Sequence, residues 1–230
     1  QRDAILTSHI DSPLTAKPIK PVYADRSASG RPSKLVENYI NSVVLPCYAN
    51  THTDTSYTGL QSTAFRHEAR RLIATACNAR VSRNDKNADV VLFAGHGATG
   101  AANKLVAVLG LNVPYTSADT TGRPVVIVGP HEHHSNLLPW RESCADVVAV
   151  PERDDQSGRI DADAMRGILE RESSRTGIKI CALCATSNVT GIAQDVDTLT
   201  ELAHEHGFLA VWDYASAASH AALDMNPPLR

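Results

Sequence analysis

Four polar clusters constrain this chain most, because each directly follows an apolar run that is typical of a buried β-strand. In open α/β sheets, ligands bind in the crevice beyond the carboxyl ends of the strands. We therefore expect the four clusters to form the wall of one pocket. The clusters are residues 95–100 (Gly-His-Gly-Ala-Thr-Gly), 131–134 (His-Glu-His-His), 187–191 (Ser-Asn-Val-Thr-Gly) and 212–214 (Trp-Asp-Tyr).

Apolar runs alternate with amphipathic stretches along the chain, which favours a mostly parallel sheet covered by helices on both faces. The sequence thus predicts a three-layer α/β/α sandwich. Proline-punctuated residues 1–22 are predicted to form an extended arm, and residues 23–230 a single large domain whose C-terminal part is absent. The predicted strands are 89–94, 124–128, 147–150, 178–185 and 208–212, and the predicted helices are about 34–45, 60–79, 98–109, 136–142, 162–171 and 196–206.

Composition excludes several classes of protein. A net charge of −3 without a basic run argues against a nucleic-acid partner. No apolar stretch approaches the roughly 20 residues that cross a bilayer, so we expect no membrane segment. The five cysteines are an odd number and lie mainly in apolar segments, which predicts reduced thiols in a cytoplasmic protein. Cys181 and Cys184 are expected to be core residues rather than a redox pair.

The first cluster, residues 95–100, lies between a predicted strand and a predicted helix. Backbone N–H groups at a helix start favour an anion, glycines allow it to approach closely, and Thr99 adds a hydroxyl donor. These features predict a phosphate site. The same six residues match the pattern G-x-G-x-x-G, so a nicotinamide dinucleotide site stays open as an alternative, with Glu132 near the place of a ribose-binding acid.

The other clusters supply an imidazole, an amide and a carboxylate. Residues 131–134 could hold a metal ion, as in a hydrolase, or offer one imidazole for an aromatic ring to stack on. Asn188 offers an amide donor. Asp213 follows a buried run, where a carboxylate is costly unless a cation pairs with it. A protonated ring nitrogen of a ligand would be such a cation.

Together these groups fit a phosphorylated, nitrogen-containing aromatic ring, and pyridoxal 5′-phosphate satisfies all of them. Its phosphate would lie at the helix that begins near Ala98 and its ring under an imidazole. Its phenolic oxygen would lie near Asn188, and its pyridine nitrogen on Asp213. A carboxylate that keeps this nitrogen protonated allows the ring to act as an electron sink.

The ordered set of motifs resembles the class V aminotransferases, the cysteine desulfurase-like branch of the fold-type I pyridoxal-phosphate enzymes. The resemblance covers about residues 22–224, nearly the whole chain. The motifs are residues 23–30, Glu68-Ala69-Arg70, Gly97-Ala98-Thr99 with Asn103, residues 132–136 with Pro139-Trp140, Ser187-Asn188-x-Thr190-Gly191, and Asp213 followed by His220.

The resemblance implies a role for each matching residue. Gly97, Ala98 and Thr99 would hold the phosphate, and His133 would stack on the ring. Asn188 would face the phenolic oxygen, and Asp213 would pair with the pyridine nitrogen. Ser216 stands where the family commonly has a glutamine that also contacts the phenolic oxygen. Ala28, Ser29 and His52 would lie near an amino-acid substrate, with Ala28 and Ser29 at the interface of a homodimer.

The family's Schiff-base lysine belongs to the strand after the one that ends at Asp213, and no lysine of this chain occupies that motif. We therefore expect an N-terminal fragment that is itself inactive, from a transaminase, cysteine desulfurase or related lyase. A non-catalytic module that kept this fold after losing the lysine is the remaining alternative.

Overall fold

The computed structural model describes residues 9–227, except residues 12, 15, 16, 27 and 83. The chain divides into two compact units. The first contains the described residues up to Leu92 together with those from Ala222 onward, and the second is Phe93–Ala221. The sequence predicts one large domain over residues 23–230, and this domain extent stays a prediction.

The first unit is built on two helices. Helix α1 spans Lys34–Tyr39 and continues as a π-helical turn over Ile40–Val44 and a 3-10 turn over Leu45–Cys47. Helix α2 spans Tyr57–Ala76, and the hydroxyl oxygen of its N-cap residue Ser56 accepts a hydrogen bond from the N–H of Gly59. Both predicted helices are therefore confirmed, with ends shifted by a few residues, as is usual at helix termini.

The strand predicted over residues 89–94 is wrong. Within the described residues this run pairs with no strand, and the side chains of Val90 and Leu92 are 76% and 64% exposed. A strand is stable only when its N–H and C=O groups pair with a neighbour, and apolar composition alone supplies no partner.

The predicted N-terminal arm lies partly outside the described residues, which begin at His9. Ile10 and Ile19 exchange two backbone hydrogen bonds of 2.9 Å. This part of the segment therefore turns back on itself, where the sequence predicts an extended course.

The second unit contains the parallel sheet that the sequence predicts. Its strands are β1 (Val125–Val128), β2 (Asp146–Ala149), β3 (Lys179–Cys184) and β4 (Leu209–Asp213), and they lie in the order β2-β1-β3-β4, all parallel. The helices of this unit are α3 (Gly97–Val108), α4 (His134–Arg141), α5 (Ala162–Glu172) and α6 (Val196–Glu205).

Alternate residues of β1 point to opposite faces of the sheet, and each face has its own core. Val125 and Ile127 pack in one cluster, and Val126 and Val128 in the other. Both faces are thus buried under helices, which confirms the three-layer α/β/α architecture. The first cluster includes Met165 and Leu169 from α5, Leu199 and Leu202 from α6, and Phe208 just before β4. The second includes Val106 from α3, Leu111 from the turn after it, and Trp140 from α4.

The strand order creates a crevice between β1 and β3. From β1 the chain runs through α4 to β2 on one side, and from β3 it runs through α6 to β4 on the other side. Such a reversal of direction is a topological switch point, where open α/β sheets bind ligands. The first polar residues beyond β1, at 131–134, therefore lie at the position expected for a site.

No helix in the described ranges is long and apolar enough to span a membrane.

Candidate functional site

A cavity of about 380 Å³ opens in the second unit beside the carboxyl end of β4. It brings together the start of α3, the buried side of α4 and the Asp213 region. Two of the four polar clusters therefore contribute to its lining, whereas no residue of the clusters 131–134 and 187–191 is among the lining residues. Its lining residues are Gly97, Ala98, Ala101, Ala102, Leu105, Asn136, Trp140, Val211, Trp212, Asp213, Tyr214, Ala215 and Ala218.

A left-handed turn leads into α3. Gly95, His96 and Gly97 have φ angles of 58°, 52° and 63°, a region that glycine enters readily and that costs other residues energy. Among the described residues, no acceptor contacts the N–H groups of Gly97, Ala98 and Thr99. Since Gly97 and Ala98 line the cavity, these donors and the helix dipole suit an anionic group there.

His133 is fixed from the side of α4, for which it is the N-cap residue. Its Nδ1 accepts the N–H of Ser135 at 3.1 Å, and Nδ1 and the Ser135 hydroxyl are 3.0 Å apart. The Thr99 hydroxyl donates to the same Ser135 oxygen at 2.8 Å. Ser135 therefore connects the predicted phosphate residue with the predicted ring-stacking residue, although neither His133 nor Thr99 is among the residues that line the cavity.

Asp213 ends β4 with its side chain half-buried and on the cavity wall. One carboxylate oxygen, Oδ1, accepts the N–H of Ala215 at 2.9 Å. In the described ranges of the chain, Asp213 forms no salt bridge. A partly buried carboxylate with one neutral donor can still accept a cation from a ligand.

Asn188 and Ser216 are not among the cavity residues. Asn188 is exposed in the loop after β3, and Ser216 lies half-buried in the turn that follows β4. The predicted contact of these two side chains with a phenolic oxygen therefore stays a prediction.

The predicted substrate residues belong to the first unit. Ala28 and Ser29 are exposed, in a loop where the N–H of Ala28 donates to Asp25 Oδ1 at 3.3 Å. Ser27 of the same motif lies outside the described residues. His52 has a φ of 72°, and its Nε2 lies 3.0 Å from Arg66 Nη1. Because a guanidinium only donates, this nitrogen of His52 is the acceptor.

Glu132 is a site residue whose role sequence reasoning missed. Its Oε1 accepts the N–H of Cys184 at 2.7 Å, and its Oε2 accepts Asn136 Nδ2 at 2.7 Å. Burial raises the pKa of Glu132, as does the nearby charge of Asp213, while the hydrogen bonds oppose this rise. Trp140 Nε1 in turn donates to Asn136 Oδ1 at 3.2 Å. The spacing of four residues between Glu132, Asn136 and Trp140 was a signal in the sequence that could have revealed this chain of contacts.

The environment of Glu132 also bears on the dinucleotide alternative. That alternative assigns to Glu132 the hydroxyl groups of a ribose. Here both carboxylate oxygens face backbone and amide donors inside the protein, so the residue does not present them to a ligand.

The metal alternative finds no support in the positions of the histidines. His131 Nε2 lies 3.0 Å from a carboxylate oxygen of Glu152, whereas His133 bonds to Ser135. Within the described residues, no group of three histidine, cysteine or acidic side chains is arranged to hold a metal ion.

Cys181 and Cys184 are buried in β3, which confirms that they are core residues. Burial raises the pKa of the Cys181 thiol to about 12, and burial together with the nearby charges of Glu132 and Asp213 raises that of Cys184 to about 12. Neither residue is therefore a thiolate at neutral pH, and the cavity gains no nucleophile from them.

Comparison with known proteins gives a consistent set of relatives. A probable cysteine desulfurase of Pyrococcus abyssi is 28% identical over 217 residues, which are 94% of this chain and 48% of the relative. A probable cysteine desulfurase of Pseudomonas putida is 32% identical over 77% of this chain and 40% of its own length. The chain thus spans about half the length of these relatives.

Solved structures show the same fold. The apo cysteine desulfurase of Thermococcus onnurineus superposes with a TM-score of 0.67 at 22% identity, covering 87% of this chain and 45% of that protein. A NifS-like protein of Rickettsia africae gives 0.66 at 15% identity, covering 87% of this chain and 49% of that protein. Residues 22–227 match the protein family described as aminotransferase class-V. Because this match extends over most of the sequence, the chain belongs to the class V aminotransferase family.

Proposed function

We propose that this chain is the N-terminal part of a pyridoxal-phosphate-dependent enzyme that acts on an amino acid, as a transaminase, cysteine desulfurase or related lyase. In this proposal residues 23–230 belong to its cofactor-binding large domain, and residues 1–22 form an N-terminal arm. One observation carries the proposal: N–H groups at the start of a helix and a carboxylate line the same cavity. Within the part of the chain that the structure describes, these N–H groups have no acceptor and the carboxylate has no cationic partner.

The residues present fit the cofactor at its two charged ends. The N–H groups of Gly97, Ala98 and Thr99 would bind the phosphate, helped by the dipole of α3. Asp213 would hold a proton on the pyridine nitrogen, because a carboxylate stabilises a cationic ring in a partly buried site. When bound, pyridoxal phosphate supplies an electron sink for a carbanion at the amino acid.

Three further side chains would complete the ring site. His133, held by Ser135, would stack on the ring, and Asn188 and Ser216 would approach its phenolic oxygen. Ala28, Ser29 and His52 would contact the amino-acid substrate. We propose a homodimer on the basis of the family, and a cytoplasmic location because all five cysteines are unpaired thiols.

We further propose that the chain as it stands is catalytically inert, because none of the residues lining the cavity is a lysine. Lys179 lies at the start of β3, the opposite end of the sheet from the cavity, where its Nζ donates to the carbonyl of Ser173 at 2.8 Å. To test this, the protein is mixed with pyridoxal phosphate, reduced with borohydride and mapped by mass spectrometry. No lysine should be modified selectively. One specifically modified lysine, together with turnover, would overturn the inert state.

The binding site is tested by isothermal titration calorimetry with pyridoxal 5′-phosphate. The wild-type chain should bind it reversibly, and pyridoxal without the phosphate should bind at least about tenfold more weakly, since each tenfold step is about 1.4 kcal/mol. The Asp213→Asn variant should lose a similar factor. Asp154→Asn changes an exposed aspartate of the same unit and should bind like the wild type. Equal binding by D213N and wild type would contradict the proposal.

A further inference from the structure

The carboxylate of Glu132, in the loop after β1, bridges the carboxyl ends of β1 and β3. Its two oxygens accept the N–H of Cys184 and the side-chain amide of Asn136, each at 2.7 Å. The backbone N–H of Gly129 lies close enough to lower the pKa of this carboxyl group. A Cβ atom added at Gly129 would lie 2.7 Å from Glu132 Oε1, so glycine at this position leaves the space that the carboxylate occupies.

The bond to Cys184 fixes the end of β3 beside Asp213. Cys184 is the last residue of β3, and it is the register partner of Asp213 in β4. A hydrogen bond to the backbone of Cys184 therefore acts one strand away from the carboxylate that faces the cavity. Glu132 thus connects the loop after β1 with the end of β3, which is paired with the end of β4 that carries Asp213.

The bond to Asn136 fixes α4. Asn136 uses its Nδ2 on Glu132 and its Oδ1 on the indole N–H of Trp140, and the Trp140 side chain is fully buried. Asn136 and Trp140 both line the cavity, and the same helix has His133 as its N-cap residue. The carboxylate therefore connects the helix that carries His133 to the strand next to Asp213.

Both donors that hydrogen-bond to Glu132 are neutral, and among the described residues this side chain forms no ion pair that would explain its partial burial. Burying a carboxylate costs free energy that neutral hydrogen bonds repay only in part. Its burial beside Asp213 also adds negative potential to the wall that would receive a cationic ring nitrogen.

We propose that Glu132 is a positioning residue of the cofactor site, which holds β3, α4 and thereby Asp213 and His133 in the arrangement that binds the ring. This role rests on the proposed function. It requires both the charge of the side chain and its length, because one carboxylate must reach Cys184 and Asn136 together.

Two variants separate these requirements. Glu132→Gln keeps the length of the side chain but replaces one carboxylate oxygen with an NH₂ group. That NH₂ group would then face one of the two N–H donors and could not accept its hydrogen bond. Glu132→Asp keeps the charge but is one methylene too short to reach both donors. Glu142→Gln, at the exposed end of α4, is the matched control. Circular dichroism shows whether each variant folds. Hydrogen exchange at the Cys184 amide reports the Glu132–Cys184 contact, and calorimetry with pyridoxal 5′-phosphate reports the effect of Glu132 on cofactor binding.

We expect E132Q and E132D to exchange the Cys184 amide at least about tenfold faster than wild type and E142Q, and to bind the cofactor at least about tenfold more weakly. If E132Q does not fold, E132D alone decides the outcome. Wild-type affinity in a folded E132D or E132Q would overturn the positioning role. Lack of binding by the wild type would instead remove the proposed function, while the exchange rates would still report whether the Glu132–Cys184 contact exists.

Discussion

Two carboxylates at the carboxyl edge of the sheet, Glu132 and Asp213, differ in what surrounds them. Both side chains are half-buried, but Glu132 accepts hydrogen bonds from two neutral N–H donors, one on each oxygen, whereas Asp213 accepts one. Among the described residues, Asp213 therefore has one carboxylate oxygen without a donor, and Asp213 is the carboxylate that lines the cavity. The sequence alone predicted that Asp213 lies on the wall of a pocket, because it directly follows an apolar run, while its pairing with a cation stays a prediction. The spacing of Glu132, Asn136 and Trp140 indicated the contacts toward α4, but the contact of Glu132 with Cys184 could not be predicted, because these two residues are far apart in the sequence.

The raised pKa of Glu132 predicts a specific dependence of stability on pH. The folded state disfavours the ionised carboxylate because of burial, so the stabilising contribution of the protonated form is lost as pH rises from about 4.5 through the folded pKa. The free energy of unfolding of wild type, relative to Glu132→Gln, should therefore fall as the pH rises above about 4.5. Urea denaturation of both proteins at several pH values measures it. Parallel pH profiles would show that Glu132 titrates normally.

A second residue prediction concerns the glycine pair Gly100 and Gly167, each inside a helix. A Cβ at Gly100 would overlap the carbonyl oxygen of Gly95, whereas one at Gly167 would meet nothing within 4 Å. Gly100→Ala should destabilise the protein by about 1–3 kcal/mol and weaken phosphate binding, because the turn before α3 must move. Gly167→Ala should stabilise it by about 0.5–1 kcal/mol.

Thermal denaturation of both variants, with calorimetric titration of pyridoxal phosphate, measures these effects. Equal stabilities for the two alanine variants would mean that the close approach at Gly100 is absent.

The strands and helices of the second unit are the elements that the sequence predicted best. Strands β1, β3 and β4 are short apolar runs, and α5 and α6 have clear amphipathic patterns, so local sequence and final environment agree. Residues 89–94 have the same apolar pattern but form no strand, because pairing depends on a second segment that composition does not reveal.

Hydrogen exchange tests this difference between elements. Backbone amides of residues 90–92 should exchange within the range of exposed loops, whereas those of Val126 and Ile127 in the centre of the sheet should be protected by several orders of magnitude. The comparison uses one sample and one set of conditions, so it needs no variant. Strong protection of residues 90–92 would mean that the segment pairs after all.

On the scale of the whole molecule, both core clusters and every residue that lines the cavity belong to Phe93–Ala221. The division into two units could not be predicted from the sequence, because it depends on which contacts form in space and no linker of distinctive composition marks residue 92. The three-layer architecture could be predicted, because the alternation of strands and helices is visible along the sequence. The order of the site motifs could be predicted from the family resemblance.

This distribution predicts that residues 93–221 fold by themselves. The isolated segment should show a helical circular dichroism spectrum and one cooperative unfolding transition, because its two cores are complete within it. Thermal and urea denaturation, compared with the full chain, measure this. A segment without a cooperative transition would show that the first unit is needed to stabilise the sheet.

The central claim is that Asp213 pairs with the ring nitrogen of a ligand whose phosphate lies at the start of α3. It is measured most directly by ¹⁵N NMR of pyridoxamine 5′-phosphate, labelled at the pyridine nitrogen and bound to the chain. The account predicts a protonated nitrogen in the wild-type complex at a pH at which the unbound compound has lost that proton, and loss of this protonation in Asp213→Asn. A nitrogen that titrates identically in wild type, D213N and solution would contradict it.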